Sequence, residues 1–162
     1  MGPKEVGLLY IAKRNHDRVW PAVVAPGWGD DAATDLVGAR KFESLGQRDD
    51  AALAAVGVAA ELHDTIGAAR IEARITQLTQ RLKEGIADAG LELVTPMSED
   101  VSFGIGITRA PREGRGAVLG ALYERHGIAG APTGGIRLCP HIYNSEEHVD
   151  RAAAAVRAEL SA

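Results

Sequence analysis

Val6-Gly7-Leu8-Leu9-Tyr10-Ile11-Ala12 is an unbroken apolar run with no charged residue to mark a solvent face. Such a run reads as a strand buried on both faces, the pattern of a sheet covered above and below by other elements. Strands this short do not make a sheet alone. Coming so early in the chain, it implies neighbouring strands from elsewhere. Asn15 to Trp20 and a Pro/Gly-rich loop containing Pro26-Gly27-Trp28-Gly29-Asp30 follow it. A helix then opens at Asp49, with acids in its first turn and many small residues on its faces. Residues 1–67 therefore look like the edge of a larger structure.

The rest reads differently. Gly67 stops the first helix, and Ile71, Ile75, Leu78, Leu82 and Ile86, spaced by three and four, predict a second over 69–89, ended by Gly90. Strands are expected over 91–94 and 101–108, a helix over 116–126, Gly127 and a short strand, then a strand over 135–138. A last helix is expected from Asn144 as N-cap, with Glu147 completing a capping-box-like start. The order αββαββα describes a compact α+β unit, antiparallel strands with helices on one face, able to fold alone. The domain reading is thus 1–67 and 68–162.

Composition narrows the function. With 46% apolar and 25% charged residues, the 162-residue chain is that of a soluble globular protein. A net charge of −4, with 18 basic residues scattered among 22 acids, offers no basic stripe for nucleic acid. No membrane span or export signal is visible, and the single Cys139 allows no internal disulfide, so a cytoplasmic location is expected. No residue set has metal-ligand spacing, and no Gly-x-Ser-x-Gly, P-loop or dinucleotide fingerprint is present.

The most informative stretch is Gly134-Gly135-Ile136-Arg137-Leu138-Cys139-Pro140-His141-Ile142-Tyr143-Asn144. An arginine in an apolar strand needs an anion. Its guanidinium fork suits a carboxylate, and the paired glycines let a ligand approach the backbone. A structural ion pair with an Asp or Glu elsewhere is the plainer alternative. Gly46-Gln47-Arg48, just before the helix at Asp49, offers backbone N–H groups to a phosphate, or is only the approach to an Asp49 N-cap. Trp28 is either an aromatic wall beside a ligand or a loop anchor. His141 is either a proton-transfer group or an ordinary hydrogen-bonding turn residue. Cys139 reads as an inert buried thiol.

Gly2-Pro3-Lys4 with Gly7-Leu8-Leu9-Tyr10, Phe42-Glu43, Gly46, Arg48-Asp49, Gly135-Ile136-Arg137 and Pro140-His141-Ile142-Tyr143-Asn144 together resemble the class V aminotransferases, in their isopenicillin N epimerase-like and cysteine desulfurase-like branch. The resemblance runs over nearly the whole chain. It implies an α/β fold, the C-terminal portion of a fold type I pyridoxal-phosphate (PLP) transferase. The last large-domain strand and helix would be followed by a small α+β domain with an antiparallel sheet. It implies that Arg137 binds the substrate α-carboxylate, and the aromatic-wall reading of Trp28 from its loop adds that residue to the substrate side. Gly46-Gln47-Arg48 would occupy the Gly-Thr-Arg-like segment that reaches the cofactor phosphate, Gln47 keeping a donor amide but losing the hydroxyl.

The family's Schiff-base lysine precedes the Gly-Pro-Lys motif by a few residues, where this sequence has Met1. Lys4 belongs to the strand motif and is not that lysine. The expectation is therefore a split enzyme, inactive alone, in which a separate polypeptide carries the lysine-bearing half, as a heterodimer or a dimer of heterodimers. It would act on an amino acid or similar substrate by epimerase, aminotransferase, lyase or decarboxylase chemistry. The alternative is a non-catalytic truncated homologue serving as a regulatory or structural subunit. A third reading, a free-standing small-molecule binding domain, has to leave the 6–11 run exposed.

Overall fold

The computed structural model describes residues 2–4, 6–19, 21–22, 38–42 and 49–161. Its contacts divide into two compact units, Met1–Thr65 and Ile66–Ala162.

In the first unit, helix α1 spans Asp50–Ile66. Asp49 caps it, its Oδ1 accepting from the Ala52 N–H at 3.0 Å. Short 3-10 turns occupy Lys13–Asn15 and Gly38–Phe42. The expected strand over 6–12 is not formed. These residues have no ladder partner, and Leu8, Leu9 and Tyr10 are 80%, 73% and 87% exposed. The physical reason is that a strand exists only through hydrogen bonds to a neighbour, and no described segment provides one. A hollow of about 260 Å³ lies between α1 and Gly2, Pro3, Val6 and Leu8, and His63 of α1 lines it with its Nε2 buried and without a partner among the described residues.

The second unit has its own core. Helix α2, Ala68–Asp88, buries Ile75, Leu78, Leu82 and Ile86 of the stripe its spacing foretold, while Ile71 at its start is half-buried, and Gly90 follows its cap Ala89. Strand β1, Gly106–Thr108, pairs antiparallel with β2, Ile136–Leu138, in the register Gly106↔Leu138, Ile107↔Arg137, Thr108↔Ile136. Between them lies α3, Arg115–His126, and after them α4, Glu146–Leu160. Leu122 of α3 and Val156 of α4 are 0% exposed and join Leu82, Ile86, Ile136 and Leu138 in one cluster. Each such side chain contributes about 1.5–3 kcal/mol by leaving water.

The strands are fewer and shorter than expected. Of 91–94 only the bridge Leu93↔Thr108 is formed, and of the short strand after Gly127 only Ala131↔Arg137. The strand expected over 101–108 is confined to its last three residues. Ser98 accepts from the Asp100 N–H at 3.3 Å and caps a 3-10 turn at Glu99–Val101. Gly104 then takes a left-handed φ of 67°, which no extended strand accommodates.

Helix α4 also starts one residue later than expected, with Ser145 as N-cap. The Ser145 Oγ accepts from the His148 N–H at 3.1 Å, and the Ser145 N–H donates to His148 Nδ1 at 3.3 Å. Asn144 is already committed, its Oδ1 accepting from the His141 N–H at 2.8 Å.

Arg81 of α2 grips Asp150 of α4 through Nε at 2.6 Å and Nη2 at 2.7 Å, and Glu146 through Nη1 at 3.0 Å. The Arg81 hydrogen bond holds the Asp150 carboxyl below its ordinary range. That contribution to stability is present above the carboxyl's unfolded pKa and is lost as pH falls through the lower folded one. The pair is solvated and open to screening by salt. At the other end of α4, Glu159 accepts from His126 at 2.8 Å and Arg125 at 3.3 Å, fastening α3.

Candidate functional site

The two-stranded ladder sorts side chains by alternation. Ile136 and Leu138 go into the core, 1% and 5% exposed, and Arg137 between them goes to the opposite face, half-buried. Both neighbours hold its backbone. Ile107 pairs with it on one side, and on the other Arg137 N–H donates to the Ala131 carbonyl at 2.9 Å while Ala131 N–H donates back at 3.0 Å.

Gly135 explains how β2 lies so close to β1. A Cβ there would stand 2.1 Å from the Thr108 carbonyl oxygen, well inside contact, so only glycine permits the approach. The strand that presents Arg137 is thus fixed by backbone on both sides and by core packing beneath.

The side chain is what distinguishes the position. Arg137 Nε is buried and has no hydrogen-bond partner, and its guanidinium makes no ion pair with any described residue. Buried polar groups are rarely left unmatched, and a charge-bearing one costs more than a neutral one. Among the described residues the structural ion pair is therefore not formed.

The following turn is also built. Asn144 N–H donates to the His141 carbonyl at 2.9 Å, the His141 and Tyr143 rings stack at 4.7 Å, and Arg74 Nη2 of α2 donates to the Asn144 carbonyl at 3.0 Å. Cys139, expected to be buried, is exposed, because it continues the alternation to the outward face after Leu138. A cavity of about 390 Å³ opens beside it, but none of its lining residues carries a buried, unmatched polar atom.

Trp28 and Gly46, Gln47 and Arg48 lie outside the described residues. The nearest described position, Asp49, is occupied in capping α1. Among the described residues no group of His, Cys, Asp or Glu is arranged to hold a metal, and no helix is long and apolar enough to cross a membrane.

Sequence reasoning overlooked Lys83. It is 1% exposed, with Nζ donating to the carbonyls of Pro96 and Met97 and to Ser102 Oγ at 3.2, 2.9 and 3.0 Å. Its only signal in the sequence is spacing, four residues after Thr79 and three before Ile86, which places it on the buried stripe of α2.

The chain is similar to isopenicillin N epimerase from Streptomyces clavuligerus. The two are 31% identical over 175 aligned positions, which cover 98% of this chain and 44% of the epimerase. The chain thus spans less than half the length of the curated relative it matches. No family model matches it.

Proposed function

We propose that this chain corresponds to the C-terminal part of a PLP-dependent enzyme of the class V aminotransferase family, and that it works with a separate polypeptide carrying the Schiff-base lysine. The observation that carries this reading is the unmatched Arg137 Nε on a strand fixed from three sides. The similarity over 98% of the chain to an epimerase more than twice as long supports it.

The residues present fit one part of such a site. An orphaned, half-buried guanidinium fits the α-carboxylate of an amino-acid substrate through charge-assisted hydrogen bonds. They do not include a lysine for the cofactor in the second unit. Lys83 is its only lysine, and all three ammonium donors are taken. In this proposal the partner supplies the lysine and Gly46-Gln47-Arg48 approaches the cofactor phosphate.

When bound, PLP supplies an electron sink for the bond broken at the substrate's Cα. The part of Arg137 is to bind the carboxylate and fix which way Cα faces, so that binding energy is turned into orientation. The rigid ladder beneath it keeps the guanidinium from following the ligand. Leu8, Leu9 and Tyr10, together with α1, which has no buried residue, supply the apolar surface the partner would cover. That surface serves a non-catalytic subunit equally well, and the unmatched Arg137 is what favours the catalytic reading.

The test is co-expression with a lysine-bearing half, reading co-purification and the visible absorbance of bound cofactor. Colour only in the joint preparation supports the proposal, and a colourless chain with no stable partner overturns it. In the assembled enzyme, Arg137→Ala is expected to weaken substrate binding by about 2–5 kcal/mol with cofactor loading retained. Unchanged substrate binding in that variant sinks the carboxylate assignment.

A further inference from the structure

Lys83 is the largest fully buried side chain among the described residues. Its three N–H donors meet three oxygens of one turn, and Ser102 Oγ lies in turn 2.7 Å from the Ser98 carbonyl and 3.1 Å from that of Pro96. No carboxylate pairs with it among the described residues. A buried charge without a counter-charge is costly, and an apolar side chain would fill the same space more cheaply. What a cation adds is convergence, since it draws several carbonyl oxygens onto one point.

The turn so gathered, 96–102, is tied to β1 at its entrance. The Val94 N–H donates to the Ile107 carbonyl at 2.8 Å, and the Ile107 N–H donates to Thr95 Oγ1 at 3.0 Å. Ile107 is the residue paired with Arg137 across the ladder. A connected chain of contacts therefore runs from the Lys83 ammonium through the turn and Ile107 to the strand that presents the guanidinium.

We infer that Lys83 is a positioning residue, its ammonium filling an oxygen seat made by Pro96, Met97 and Ser102 and so fixing, through Thr95 and Ile107, the placement of Arg137. The role of Arg137 in this statement rests on the carboxylate reading above, whereas the seat itself does not. The seat requires a charge, so packing volume alone does not replace it.

The test uses the full chain, with amide hydrogen exchange and the Arg137 Nε–H resonance as readouts and acetate as the carboxylate probe. Lys83→Met keeps the apolar stem and removes the charge. It is expected to speed exchange at Val94 and Ile107 by about tenfold or more while α4 amides hold their rates. It should also shift the Arg137 resonance and weaken its response to acetate. Ser102→Ala, which leaves the core untouched, acts in the same direction to a smaller extent and decides the matter should Lys83→Met fail to fold. In Lys83→Ala, propylammonium restores slow exchange and propanol does not.

Parent-like exchange at Val94 and Ile107 in the folded variants overturns the inference, as does equal rescue by propanol. An unmoved Arg137 resonance in Lys83→Met also overturns the positioning role. If acetate leaves the Arg137 resonance of the parent chain unmoved, the carboxylate reading fails, and the exchange rates still decide the seat.

Discussion

Residues Ile66–Ala162 and Met1–Thr65 are made of similar material and reach opposite outcomes. The second unit sinks Leu78, Leu82, Leu122, Ile136 and Val156 to 1% exposure or less. In the first, no described residue is buried, although α1 is rich in alanine, valine and leucine and the 6–12 run is apolar throughout. Apolarity supplies a driving force only where an opposing surface exists to receive it. In the second unit α2, α3, α4 and the ladder face one another. In the first, the 6–12 run has no strand beside it among the described residues. The contrast teaches that one part carries its own core, whereas the described residues of the other leave their apolar side chains uncovered.

The strongest blow to the contrast is Leu122→Ala, at a 0% exposed position of the self-sufficient core. It should cost about 2–5 kcal/mol in chemical denaturation. A loss below about 1 kcal/mol would mean that the core is not packed as described. Next comes Gly135→Ala, whose Cβ would meet the Thr108 carbonyl and force β1 and β2 apart, for about 1–3 kcal/mol. Cross-strand contacts between Ile107 and Arg137, read by NMR, should weaken with it. Ser145→Ala removes the N-cap of α4 and should cost about 1 kcal/mol, with faster amide exchange confined to the first turn.

The smallest effect on stability sharpens the comparison most. Leu8→Ser with Leu9→Ser, at positions 80% and 73% exposed, should change the stability of the chain by less than about 0.5 kcal/mol. If the proposed assembly holds, the same pair should abolish co-purification with the lysine-bearing half. A large loss of stability in the isolated chain would show that the run is already buried and would erase the distinction between the units.

Much of the second unit was legible in the sequence. The three-and-four spacing on α2 named its buried stripe, and Gly90 named its end, because helical periodicity is local and repeats. Arg137 was legible as a charge out of place in an apolar strand. Less legible were features that depend on competition between neighbours. Asn144 and Ser145 both qualify as caps, and the choice fell to Ser145 only because the Asn144 side chain was taken by the His141 N–H. The strand over 101–108 met the apolar pattern, yet Ser98 and Gly104 diverted its first half. Cys139 looked buried by composition and was turned outward by the alternation of β2.

The sequence by itself determined where helices run, where the core of residues 66–162 lies and which charge stands out of place, since these follow from periodicity and from the misfit of a charge among apolar neighbours. Only the tertiary structure decided that Arg137 Nε has no partner, that Lys83 is enclosed by three oxygens, and that the apolar 6–12 run stays uncovered. Each of these depends on what stands opposite a side chain in space, and one-dimensional spacing carries no record of that.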